Sequence, residues 1–278
     1  METKSAYPPG HFYSPIPCLD DVLQNEETIF HVPETIPGVD LNPEGQWELA
    51  RRFAGFYREM PFQPEQQENL RYYFENPNFS YFDAISLHCM IRHAKPKRII
   101  EVGSGFSSCV TLDTNDTFFD NRIDCTFIEP YPDLLLSLMK PGDREQVTII
   151  PSKLQDVPTE TFTALGPGDI LFIDSTHVSK IDSDVNHALF RILPSLAPGV
   201  FIHFHDIFYP FEYPKQWIYD GRAWNENYIL RAFLQYNSSF NIVFFNNWFA
   251  RFNRQLLQDQ MPLALKNAGG SIWLQKVE

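Results

Sequence analysis

No run of 18 consecutive apolar residues occurs in this 278-residue chain, so a membrane-spanning helix is not expected. Positive charge is scarce. The 22 Lys and Arg stand against 35 Asp and Glu, a formal net charge of −13. That balance argues against nucleic acid as the main partner, because backbone phosphates need clustered positive charge. One basic cluster exists, Arg92, Lys95, Lys97 and Arg98. It precedes an apolar strand, at the sheet end away from the expected site, and reads as a solvated turn. Cysteine is also sparse. Cys18, Cys89, Cys109 and Cys125 are widely spaced and form no CxxC pair, which excludes the common zinc and dithiol patterns. They read as free thiols in a reducing compartment, with cytoplasm the expectation. Met1 to Ser5 lacks the apolar run of a secretory leader. No internal repeat or low-complexity segment is visible.

A third glycine is missing from the most informative stretch. Residues 98–108 read RIIEVGSGFSS: a short apolar strand, a glycine turn and the start of a helix. Gly103 and Gly105 are expected to give the backbone φ > 0 and a close approach to a ligand. Ser107 or Ser108 is expected to help start the helix. A strand that passes through a glycine turn into a helix N-terminus is a nucleotide-type site in an open α/β sheet. Phosphate-cradling loops need G-x-G-x-x-G, or a Lys after the last glycine. Ser108 stands where that third glycine would be, and no Lys follows. The pattern is E-x-G-x-G, with Glu101 two residues before the first glycine.

Residues 1–80 differ from the rest. They hold ten of the 22 prolines, and up to Glu75 they carry 13 acidic and 5 basic residues. One amphipathic helix is expected over about 45–60, with Leu49, Phe53, Phe56 and Met60 on its apolar face and Trp47, Ala50, Ala54 and Tyr57 widening it. From Tyr81 helix and strand patterns alternate. Helices are expected over 82–93, from 107, after Pro132, over 182–193 and over 225–236. Strands are expected at 98–102, 124–128, 147–150, 169–173, 199–204, 240–245 and 271–276. The class is α/β, with a doubly wound sheet.

Four further motifs fall at strand ends. Glu129 closes the second strand, 24 residues after Gly105. An acid there can accept hydrogen bonds from both ribose hydroxyls of a nucleoside. Ser152, Lys153 and Leu154 follow the third strand. Asp174 follows the fourth, with His177 three residues on. The fifth strand ends in His203-Phe204-His205-Asp206, and alternation puts His203 and His205 on one face. Asp174, His205 and Asp206 can thus converge on one cation or one substrate hydroxyl. Five aromatics and two prolines fall within residues 207–217, as a wall for a substrate or a packed loop. Tyr219, Arg222, Trp224 and Glu226 can add polar contacts. His11, Phe12 and Tyr13 can close the pocket from the N-terminal side.

These residues together resemble a class I S-adenosylmethionine (SAM) methyltransferase of the O-methyltransferase type, from about Phe79 to the C-terminus. Within it they are similar to the family-24 methyltransferases and to the macrocin O-methyltransferase and cephalosporin hydroxylase group. The resemblance implies a Rossmann-like sheet of seven strands, the last antiparallel. Residues 81–278 would form the SAM-binding domain, and residues 1–80 a helical and irregular cap that does not fold alone. It further implies that Glu101, Gly103, Ser104, Gly105, Ser107, Glu129, Pro130, Ser152, Lys153, Leu154 and Asp174 hold SAM. Asp174, His177, His205 and Asp206 would work on the acceptor.

In the resembled group an Asp after the fourth strand and an acidic pair after the fifth bind a divalent metal. Asp174 and Asp206 match those positions. His205 stands where relatives have Glu, and Ile207 where catechol-type relatives have Asn. A His with two carboxylates suits Mn, Fe or Zn better than Mg. Without a metal, His205 or His177 would be the general base. The sequence leaves this choice open. The expected activity is O-methylation of a small-molecule hydroxyl, on a sugar or secondary metabolite, with no nucleic-acid or membrane partner and a homo-oligomer permitted. The alternatives are an oxidoreductase or hydroxylase on the same fold and a non-catalytic SAM-binding protein.

Overall fold

The computed structural model describes residues 5–278. Met1 to Lys4, most of the stretch on which the leader expectation rests, lie outside the described residues. Seven strands form one sheet: β1 Arg98–Val102, β2 Asp124–Ile128, β3 Thr148–Ile150, β4 Ile170–Ile173, β5 Phe201–His205, β6 Phe240–Phe245 and β7 Ser271–Lys276. Their order is β3-β2-β1-β4-β5-β7-β6. The β1–β5 pairings are parallel, and β7 inserts antiparallel between β5 and β6. All residues of β4 and β5 are buried. A strand covered on both faces reads as an apolar run, as β4 does, and β5 departs from that only at His203 and His205.

Four helices matter for the site: α1 Pro43–Tyr57, α2 Tyr81–Ala94, α3 Phe106–Phe119 and α4 Glu226–Leu234. Asn42, held at φ +48°, caps α1 by accepting a hydrogen bond from the Gly45 N–H, and Pro43 fills the first turn. Leu49, Ala50, Phe53 and Ala54 bury one face of α1 against α2 and β6, where Phe53 meets Phe244 at 5.0 Å. Trp47 departs from the expected apolar face. It is 43% exposed, with the Arg51 guanidinium over its ring. Met60 lies beyond the end of the helix.

The N-terminal stretch shares the core of the sheet domain. Phe62, Tyr72 and Phe74 are buried, and the Tyr72 hydroxyl donates to the Phe79 carbonyl. Buried Gln46 in α1 accepts a hydrogen bond from the backbone N–H of Phe245 at the end of β6. Arg71 is the strongest tie. It is buried and pairs with Asp113 and Asp116 of α3 and with Asp143, at 2.5–2.7 Å. Asp113 also accepts the backbone N–H groups of Arg71 and Tyr72.

Several local expectations are corrected. Helices Asn246–Phe252 and Arg254–Gln260 lie between β6 and β7, where only strands were expected. The helical run 184–195 contains a π-helical segment, Ala188–Ile192. Arg92 is not part of a solvated turn: it pairs with Glu59 and covers the rings of Phe56 and Phe118. Lys95, Lys97 and Arg98 are exposed, as that reading has it. Phe12 is 98% exposed, and His11 and Tyr13 pack with Tyr7 and with each other, so this segment closes no pocket here. All four cysteines are free thiols. Among the described residues no helix is long and apolar enough to cross a membrane.

Candidate active site

The carboxyl ends of β1, β2, β4 and β5 meet at one crevice, the expected ligand position in an open α/β sheet. A cavity of about 520 Å³ opens there, lined among others by Gly103, Glu129, Pro130, Ser152, Lys153, Leu154 and Asp174. A smaller one of about 180 Å³ continues beside it, between Asn78, Phe79 and the loop Ser104, Gly105, Phe106 and Ser107. Gly103, Glu129 and Asp174 line both. The larger volume lies in the usual range for a small-molecule or cofactor site.

Gly103 has φ +78°, and a Cβ there would come within 1.7 Å of the Asp174 carbonyl oxygen. The glycine therefore lets the chain leaving β4 lie directly against the turn after β1. The two strands run parallel side by side, and the Asp174 N–H donates to the Val102 carbonyl at the end of their ladder. Gly105 differs from expectation: its φ is 179°, extended backbone open to any residue. A Cβ on it would lie 3.3 Å from Leu134, so its smallness keeps the cradle open.

Glu101 is fully buried and lines neither cavity. Its Oε1 accepts hydrogen bonds from the hydroxyls of Ser107 (2.6 Å) and Ser108 (2.8 Å). Burial pushes its pKa up to about 8. In this structure Glu101 and the Ser107 hydroxyl brace the loop from beneath, while Ser107 itself lines the smaller cavity. Ser108 completes the brace by accepting the Gly105 N–H. The helix starts at Phe106 with Gly105 as its cap residue, and Ser108, in its first turn, accepts the cap N–H, so one of the two serines helps to start the helix as expected.

Glu129 sits half-buried at the junction of the two cavities. It accepts the Ser104 N–H on one oxygen and the Tyr131 N–H on the other. Its carboxylate is oriented by backbone donors and keeps spare acceptor capacity towards the crevice. The hydroxyls of Ser104 and Ser175 at the same edge are buried without a partner. Unsatisfied buried polar groups are costly, so these point to a polar ligand. A nucleoside with an amino-acid tail fits this cavity pair.

On the other side of Asp174 the chemistry is denser. His177 is buried, at φ +59°. Its Nδ1 lies 2.8 Å from Glu226 Oε2, and its Nε2 lies 3.4 Å from Asp174 Oδ1 and 3.5 Å from Asp206 Oδ2. Burial works against the ring's charge, but the bonds to Asp174 and Glu226 prevail and raise its pKa to about 10. His205 Nε2 lies 3.7 Å from Asp206 Oδ1, and its Nδ1 is buried without a partner. Burial opposes charge on His205 too, yet Asp174 and Asp206 outweigh it and raise its pKa. Burial raises the pKa of Asp206; that of Asp174 is lowered, since His205 and His177 overcome the same effect.

The expected convergence of Asp174, His205 and Asp206 on a metal does not fit this geometry. Among the described residues no group of three His, Cys, Asp or Glu side chains is placed to hold an ion. The His177 ring stands between the two carboxylates instead. His203 does share a face with His205, their rings 5.8 Å apart, but it is fully buried. It stacks on Phe172 at 4.0 Å and meets Trp273 at 4.7 Å, and burial drives its pKa well below 6.5. The aromatic stretch after β5 is mostly packed inside. Tyr209, Phe211 and Tyr213 are buried, and the Tyr209 hydroxyl donates to the Pro33 carbonyl.

A family model described as a methyltransferase domain, of the family-24 group, matches residues 100–207, the stretch from β1 to just past the end of β5. A curated relative, an uncharacterised protein of Archaeoglobus fulgidus, is 40% identical over 136 residues. The match covers 47% of this chain and 61% of that protein, so less than two thirds of the relative is spanned. Solved structures of similar shape include the SAM-complexed O-methyltransferase TomG of Streptomyces achromogenes, at 15% identity and TM-score 0.48, covering 94% of this chain and 96% of that one. The SAH-bound methyltransferase PaMTH1 of Podospora anserina aligns at 14% identity and TM-score 0.47, covering 94% and 95%.

Proposed function

We propose that this chain transfers the methyl group of SAM to a hydroxyl oxygen of a small-molecule acceptor. The observation that carries this reading is the position of Asp174. It lines both cavities on the Glu129 side and faces the His177, His205 and Asp206 cluster on the other. Glu129 would accept the ribose hydroxyls, and Ser152, Lys153 and Leu154 would edge the base. Gly103 to Gly105 would pass under the methionine tail.

SAM supplies a methyl already activated on a sulfonium. The protein has to hold the acceptor oxygen in line with it and take one proton, and proximity supplies much of the rate. The new O–CH₃ bond forms as the S–CH₃ bond breaks. S-adenosylhomocysteine leaves, and the hydroxyl proton passes to His205, beside Asp206. His177 is committed to three carboxylates and is not free to take it. Residues 1–80 would close the acceptor side through Asn78 and Phe79. Four free thiols favour a reducing compartment.

The test is a methyl-transfer assay with isotope-labelled SAM against a panel of sugar and phenolic hydroxyls, read by mass spectrometry. Label on an acceptor oxygen, with kcat reduced in His205→Gln and Asp206→Asn, is the expected result. Label only on nitrogen or carbon acceptors would overturn the oxygen assignment.

A further inference from the structure

The smaller cavity beside Asp174 has one wall that no strand end supplies. Asn78 and Phe79 build it, from the last turn of the N-terminal region. We propose that this turn selects ligands with an amino-acid tail: the Asn78 amide binds the tail carboxylate, and Asn76 is the positioning residue that holds Asn78 and Phe79 in place. This rests on the methyltransferase reading, and it names the end of SAM that the N-terminal region recognises.

One side chain fixes the turn. Asn76 is buried, and both donors and both acceptor sites of its amide are used. Its Nδ2 donates to the carbonyls of Tyr73 at 2.7 Å and Phe79 at 2.8 Å. Its Oδ1 accepts the N–H groups of Asn78 at 3.0 Å and Phe79 at 2.8 Å. The Tyr72 hydroxyl brings a second donor to the Phe79 carbonyl, at 2.7 Å. Phe79 is buried as well, its ring 5.1 Å from that of His205 and 6.0 Å from that of Phe172. The turn is thereby seated against β4 and β5, and the N-terminal region becomes part of the site.

The charged side chains lining this cavity are Glu129 and Asp174, both acids. They suit the ammonium of an amino-acid tail and repel its carboxylate. No Lys or Arg lines the cavity, so the carboxylate needs neutral donors. Two are present. The Ser104 hydroxyl is buried without a partner. The Asn78 residue is exposed, and among the described residues its side-chain amide makes no hydrogen bond within the protein. A neutral N–H or O–H that meets a carboxylate makes a charge-assisted bond, stronger than a neutral one. A nucleoside without the tail would leave both donors unused.

The test is calorimetric titration of the full chain with S-adenosylhomocysteine and with methylthioadenosine, which keeps the nucleoside and the sulfur but lacks the ammonium and carboxylate. Wild type is expected to prefer S-adenosylhomocysteine. Asn78→Ala is expected to lose about tenfold in affinity for it, and to bind methylthioadenosine as wild type does. Asn76→Ala, which frees the whole turn, is expected to lose more, with the same contrast between the ligands.

Unchanged S-adenosylhomocysteine affinity in Asn78→Ala would overturn the proposal. So would equal losses for both ligands, the mark of a structural role, or equal affinity of wild type for both. Asn78 is exposed, so its variant decides the matter even where Asn76→Ala does not fold. Binding of neither ligand by wild type would sink the methyltransferase reading and this proposal with it. A missing contrast with wild-type binding intact would sink the proposal alone.

Discussion

The two sides of Asp174 are built differently. On the β1–β2 side the ligand edge is local: Gly103, Ser104, Gly105 and Glu129 lie within one strand-turn-helix and the next strand, and backbone groups do most of the orienting. On the β4–β5 side the same crevice is closed by side chains brought from afar. His177 and Glu226 are 49 residues apart in sequence, and both are buried. The first side is open, half-buried and ready for a polar ligand. The second is a buried network of opposite charges, in which His205 Nδ1 and Glu226 Oε1 keep no partner. An edge built from backbone groups can thus be specified by a short motif, whereas one built from distant side chains needs the fold to be complete.

The largest effect is expected at the crossing of the two sides. Gly103→Ala would drive a Cβ into the Asp174 carbonyl at a left-handed backbone position. A loss above about 4 kcal/mol is expected, in the range of exceptional single substitutions. Chemical denaturation checks it; a folded variant within about 1 kcal/mol of wild type would show that Gly103 and the Asp174 carbonyl do not approach as described.

Next comes the anchor of the N-terminal region to α3 and Asp143. Arg71→Ala strands buried Asp113 and Asp143 without their partner. Removing one member of a buried pair costs about 3–5 kcal/mol. The mirror prediction is that Arg122→Ala, whose pairing with Asp120 is exposed, changes stability by less than about 1 kcal/mol. Equal effects would mean that Arg71 is not buried in solution.

On the ligand edge, Glu129→Ala should weaken S-adenosylhomocysteine binding while leaving the melting temperature of the free protein nearly unchanged. Charged hydrogen bonds are worth about 1.5–3 kcal/mol, so roughly a ten- to hundredfold loss is expected. An equal loss from Glu101→Gln would contradict its placement beneath the loop.

The smallest effects are read by pH. His203 and His88 are buried neutral rings: burial holds His203 well below 6.5 and lowers His88 to about 3. The unfolded chain binds protons at these sites below pH 6.5 and the folded chain does not, so stability falls as pH drops. The slope is about 1.4 kcal/mol per pH unit for each ring until the folded value is reached. His177 acts in the opposite sense. Its folded pKa is raised to about 10, so its contribution is complete below 6.5 and is lost as pH rises to about 10. Denaturation midpoints from pH 4 to 10 in wild type, His203→Phe and His177→Gln would separate these contributions.

Much of this was legible in the sequence because each strand is a short segment rich in apolar and aromatic residues. The strands at 98–102, 124–128, 240–245 and 271–276 were read to the residue, and the others to within two. The helices after β6 were missed because Asn246 to Phe252 continues the aromatic run of the strand without a helical break. Asn246 is buried, donating to the Phe82 carbonyl and to Asp83 and Ser86, which no local pattern announces. Glu226 was visible only as one polar residue among several, because its role depends on a partner far away in sequence. Arg71 carried no signal at all: its three acids lie 42–72 residues downstream. Alternation put His203 on the face of His205, and its neighbours Phe172 and Trp273 make it core.

The most direct test of the account is calorimetric titration of the chelator-treated protein with S-adenosylhomocysteine, wild type beside Glu129→Ala. The account predicts one site per chain in wild type without added metal, lost or sharply weakened in the variant. No binding by wild type, or equal binding by both, would contradict it.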